Sequence, residues 1–127
     1  MINIESYFSG KWLECGRDWP NVDCYGLVLK VRSDMGLDSW PDWGNARRLD
    51  RTMHNAGMKF KESLTACQPE PGAIIGCYSG NFLTHVAVVV ADSSGEMCAL
   101  EMTERAGVTC RPIRRLNKLF TRLEFYK

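Results

Sequence analysis

Among the residues able to do covalent chemistry, Cys24 and His85 stand out by their positions in the chain. Cys24 follows Asp23 and opens a run in which Leu27, Val28, Val31 and Met35 recur at helical spacing, with Gly36 as a stop. A cysteine in the first turn of a helix meets unpaired backbone N–H groups and the positive end of the helix dipole, which favour a nucleophilic thiolate. Asp23 opposes that effect unless its carboxylate turns away to cap the helix. His85 begins the most apolar run of the chain, Thr-His-Val-Ala-Val-Val-Val, and strand alternation puts its side chain on one face with Ala87 and Val89. An imidazole among such neighbours requires a polar partner. Held at the rim of a sheet against the Cys24 helix, it would be the base of a cysteine nucleophile. His54 is expected on the polar side of a charged helix, at the surface.

The elements that must bring these two residues together fall into two halves. Residues 1–22 are rich in Gly, Trp and polar side chains and read as an irregular lead-in. The Cys24 helix follows, then a second helix from about Asn45 to Ala56, with Ala46, Leu49 and Met53 on one side and Gly57 as its end. After the loop Gln68-Pro69-Glu70-Pro71-Gly72 come short β-rich runs at residues 73–78, 84–91, 97–102, 108–113 and 123–126. Helices first and an antiparallel sheet after them is an α+β arrangement.

Composition narrows the function. A chain of 127 residues with an ordinary apolar fraction has the length of one domain, spanning 1–127. Sixteen basic and 15 acidic residues are interspersed, and the only local excess is the short set Arg111, Arg114, Arg115 and Lys118, which argues against nucleic acid as a partner. The N-terminus lacks a basic start followed by an apolar run, and the stretch from Val86 to Ala91 is too short to cross a bilayer, so neither a signal peptide nor a membrane span is expected. Synthesis without a signal peptide leads us to expect mostly reduced thiols among the six cysteines. There is no Cys-x-x-Cys pair and the histidines lack ligand spacing, so no metal or other cofactor is implied.

The run GKWLECGRDWPNVDCYGLV resembles the nucleophile segment of the NlpC-type cell-wall peptidases, where a Gly-rich stretch leads into Asp-Cys-x-Gly-Leu-Val at a helix start. The later GLDSWPDW is similar to the phage-tail members. Pro71-Gly72 and His-Val-Ala-Val-Val-Val resemble the family's second block, which supplies the catalytic histidine; together the match spans roughly residues 7–126. The resemblance implies a papain-like fold, with N-terminal helices packed on a C-terminal antiparallel sheet. It also implies a cysteine endopeptidase or amidase that hydrolyses peptidoglycan stem peptides between D-glutamyl and diamino-acid residues, with Cys24 as nucleophile and His85 as base. Action would be in the cell wall or periplasm after delivery, or as part of a virion tail beside other tail proteins. Two alternatives keep the fold: a tail-assembly component with weak or no catalysis, and a secreted toxin-like cell-wall amidase.

The chain departs from the family pattern at several points. Trp12 stands where the family has tyrosine, Cys15 replaces the first of two glycines, Ala73 replaces an acid after Pro-Gly, and bulky Tyr25 replaces a small residue and is expected to narrow the pocket. Substrate pockets are expected from the loops at 37–45 and 78–83. The family's third catalytic position, usually histidine, falls here on either Cys98 or Glu101, which lie on opposite faces of one strand. Register decides between them. A two-residue loop, Ser93-Ser94, turns Cys98 toward His85, whereas a three-residue loop ending in Gly95 pairs Asp92 with Glu96 and turns Glu101 there. Glu101 is preferred because a carboxylate accepts a hydrogen bond from imidazole and stabilises imidazolium.

Overall fold

The structure is a computed structural model describing residues 2–47 and 50–127. Its centre is a five-stranded antiparallel sheet of β4 (Ile74–Ser79), β5 (Phe82–Ala91), β6 (Met97–Thr103), β7 (Gly107–Pro112) and β8 (Arg122–Tyr126), in the order β7-β6-β5-β4-β8. The strands follow the expected β-rich runs within two residues at each end, because their alternating branched side chains are buried on both faces. The mixed α+β class is as expected.

One face is covered by α1 (Cys24–Asp34), whose Leu27, Val28 and Val31 pack in the same apolar cluster as Val86, Val88, Val90, Leu100 and Met102. The opposite face is covered by α3 (Ile113–Leu119), whose Leu116 joins Ile75, Cys77, Ala87, Val89 and Ala99. The helices are therefore not confined to the N-terminal half. The expected strand at 108–113 stops at Pro112, and Ile113, Leu116 and Phe120 then fall at helical spacing.

The lead-in is also ordered rather than irregular. A 3-10 helix (Ile4–Ser9) is capped by Asn3, and β1 (Lys11–Trp12), β2 (Arg17–Asp18) and β3 (Asn21–Val22) form a small sheet in the order β1-β3-β2. Strands of two residues carry too little alternation to be read from sequence. The second helix, α2 (Thr52–Lys61), starts later than expected and runs through Gly57, while Leu49 lies outside the described residues. A Cβ on Gly57 would sit 2.3 Å from Leu83 Cδ2, so this glycine lets α2 approach β5 and does not end the helix. His54 is likewise not a free surface group. Between Cys77 and Tyr78 the β4–β5 register shifts, from Cys77 opposite His85 to Tyr78 opposite Leu83, and His54 Nδ1 accepts the Leu83 N–H at 3.0 Å.

Candidate active site

Asp23 sets up the start of α1. Its Oδ1 accepts the Gly26 N–H and the Arg17 guanidinium, each at 2.8 Å, and Oδ2 accepts the Cys15 N–H at 3.0 Å. The carboxylate beside Cys24 is thus both a helix cap and neutralised by Arg17. The Gly-rich lead-in has a steric reason as well. Cys15 has φ +60°, the left-handed conformation that glycine adopts freely, and Cβ atoms on Gly16 and Gly26 would fall 2.3 Å from the carbonyl oxygens of Asn21 and Gly16, respectively. The lead-in therefore lies against the first turn of α1 at backbone contact distance.

The β5–β6 hairpin has the three-residue form. Asp92 N–H bonds Glu96 O at 2.9 Å, Gly95 N–H bonds Asp92 O at 3.0 Å, and Gly95 has φ +87°. The resulting register, Ala91 opposite Met97 and Val88 opposite Leu100, puts Glu101 on the same face as His85. Cys98 is turned to the other face, where its thiol points at Asp92 Oδ2 (3.7 Å) and Glu96 O (3.6 Å), away from His85.

His85 lies on the α3 face, stacked on Phe120 at 5.8 Å and 8°. Cys24 comes from the α1 layer, on the other side of the sheet. β5–β6 pairing ends at Val88 and Leu100, short of both His85 and Glu101, and Cys24 lies near enough to the imidazole to raise its pKa, with no hydrogen bond formed between the two. His85 Nε2 faces Glu101 Oε2 at 3.7 Å, and Glu101 Oε1 accepts from Arg111 Nη2 at 2.5 Å. Cys24, His85 and Glu101 are only 2%, 4% and 2% exposed. Neither Nε2 nor Oε2 has a hydrogen-bond partner among the described residues, and the 3.7 Å between them is longer than a hydrogen bond.

The electrostatics of the three groups are linked. Burial alone would lower the imidazole, but neighbouring Cys24 and Glu101 outweigh it and raise His85 from 6.5 to about 9. Burial would raise Glu101, yet His85 and Arg111 hold its carboxyl below the usual range. Cys77, opposite His85 on β4, has its thiol pushed far up by burial, with Glu101 and Cys24 adding to the effect, and stays protonated.

A cleft of about 240 Å³ opens beside Cys24, lined by Trp12, Glu14, Asp23, Ala46, Arg47, Met53 and Glu104. Its walls are not the expected loops. The 78–83 segment is a tight hairpin, its Gly80 N–H bonded to Thr121 Oγ1, while the lead-in supplies Trp12 and Glu14 and the turn after β6 supplies Glu104. Tyr25 does not narrow this cleft. It is fully buried, stacked on Trp43 at 3.7 Å and 6°, and its hydroxyl donates to Pro41 O at 2.6 Å, so it anchors the loop after α1. Arg111 carried no signal in the sequence beyond its place in a short basic run. Its role follows from β6–β7 pairing, which sets it opposite Ala99, one pleat from Glu101.

All six cysteines are free, three of them buried. Among the described residues no group of three His, Cys, Asp or Glu side chains converges as metal ligands, and no helix is long and apolar enough to cross a membrane. No family model matches this chain, and no curated protein matches it.

Proposed function

We propose that this protein is a papain-like cysteine hydrolase of the NlpC type, acting on amide bonds of peptidoglycan stem peptides between D-glutamyl and diamino-acid residues. The observation that carries the proposal is the convergence of Cys24, at a capped helix start, with His85 and Glu101 from the sheet. Cys24 gives its proton to His85 and attacks the substrate carbonyl carbon. His85 then protonates the leaving nitrogen as the C–N bond breaks, leaving a thioester on Cys24. Water, deprotonated by His85, attacks the thioester and releases the acid and the thiol. Glu101 orients the imidazole and stabilises its cationic form. The Cys24 backbone N–H, in a first turn without intrahelical acceptors, would hold the oxyanion with a second donor near the helix start. The resemblance further suggests that the protein works in the cell wall or periplasm after delivery.

The test is digestion of defined muropeptides, with mass spectrometry of the products, by the wild type and Cys24→Ala. The expected result is a split stem peptide with the wild type alone; equal cleavage by the variant would refute the mechanism.

A second reading, a phage-tail component without catalysis, draws on the burial of Cys24 and His85 and on the absence of a histidine at the third position. Iodoacetamide at neutral pH separates the two. Preferential modification of Cys24 supports the hydrolase, and labelling no faster than at the other five thiols supports the tail component.

A further inference from the structure

Glu101 is shared unequally. Its Oε1 lies 2.5 Å from the Arg111 guanidinium, while Oε2 stands 3.7 Å from His85 Nε2 with no other partner among the described residues. Cys24 from α1, Cys77 from β4 and the Phe120 ring after α3 also face His85, but only Glu101 among these neighbours is itself tied to a cation. A buried carboxylate with a single imidazolium partner closes to hydrogen-bond distance, because at low dielectric the attraction is steep. Here a second cation draws it away.

We propose that Arg111 is a positioning residue, which competes with His85 for Glu101 and so sets how tightly the carboxylate grips the imidazole. This rests on the hydrolase reading for its purpose, since a base held too firmly as imidazolium is a poor proton donor to a leaving amine. The geometry itself does not depend on that reading. Arg111 reaches Glu101 from the adjacent strand β7 with a side chain about a third exposed, so it can be changed without opening the core.

The experiment is an NMR titration of isotope-labelled histidine in the full chain, with His85 assigned through His85→Gln. In Arg111→Ala the carboxylate closes on the imidazole, and the His85 midpoint rises by roughly one pH unit. Arg111→Lys offers one donor direction in place of a planar fork, so it gives a smaller rise and serves if the alanine variant does not fold. In a Glu101→Gln background, adding Arg111→Ala leaves the midpoint where Glu101→Gln put it. An unchanged or lower midpoint in folded Arg111→Ala, or in Arg111→Lys where that is the folded variant, overturns the proposal. No substrate is needed, so failure of the wild type to cleave muropeptides would count against the hydrolase alone, and a flat titration against Arg111 alone.

Discussion

On its α1 face the five-stranded sheet presents apolar side chains, Val86, Val88 and Val90 beside Leu100 and Met102; on its α3 face the same two strands bury His85 and Glu101 beside Ala87, Ala99 and Val89. The difference is one of room and of cost. Branched side chains fill the first face and stabilise it by about 1.5–3 kcal/mol each. The second face exchanges part of that gain for a buried ion pair whose desolvation roughly cancels its attraction, with Ala87 and Ala99 leaving space for the imidazole and the Phe120 ring. Both faces carry apolar packing, with Ile75, Val89 and Leu116 on the second, but the second also buries charge. Cys24 belongs to the first layer and His85 to the second, and the pairing between β5 and β6 stops short of His85.

This contrast can be broken in several ways, the largest through Cys24. If the proposed hydrolase reading holds, replacing Cys24 with alanine is expected to lower muropeptide cleavage by about 10⁴-fold or more, measured by product mass spectrometry, while leaving the thermal midpoint within a few degrees. A core substitution should do the reverse. Leu100→Ala, on the α1 face, is expected to cost about 2–5 kcal/mol in urea unfolding without changing the ratio of Cys24 alkylation to that of the other thiols in the folded state. Comparable loss of selectivity would mean that the two faces are not separable.

Glu101→Gln preserves shape and removes charge, leaving Arg111 without its carboxylate. The expected loss is about 1–3 kcal/mol, together with a fall in the His85 titration midpoint.

The pH dependence follows from the same pair. His85 is raised from 6.5 to about 9, so its contribution is complete below pH 6.5 and is lost as pH rises through 9. Glu101 is lowered from 4.5, so its contribution is present above that value and is lost as pH falls below it. Unfolding free energy should therefore be highest between about pH 4.5 and 6.5 and decline by roughly 1–3 kcal/mol toward pH 9. A flat profile from pH 6 to 9 would contradict the linkage. The smallest effect is expected at the exposed Arg114–Glu96 pair, where Arg114→Ala should change stability by less than about 0.5 kcal/mol.

The central elements were legible in the sequence because their signals are local. Asp23 as cap, the apolar spacing from Leu27 to Met35 and Gly36 with φ +73° define α1, and alternation in THVAVVV defines β5 and the face of His85. The hairpin left two registers open, each with a different partner for His85. The three-residue turn put Glu101 on the face of His85 and Cys98 on the opposite, equally buried α1 face, since a shift of one residue exchanges the faces of a strand.

Other features were beyond local reading. His54 looked like a surface residue but accepts a backbone N–H that the bulge in β5 leaves free. Tyr25, expected in the pocket, turned inward because Trp43 and Pro41 are brought over it by the loop after α1. The sequence by itself determined where a nucleophile and a base could stand, through capping, helical spacing and strand alternation. Tertiary structure decided which groups meet them: Glu101 by hairpin register, Arg111 by strand pairing, and Cys24 against His85 where the ladder between β5 and β6 ends. Those meetings join residues far apart in the chain, and their distances are set by how layers pack, which no local pattern encodes.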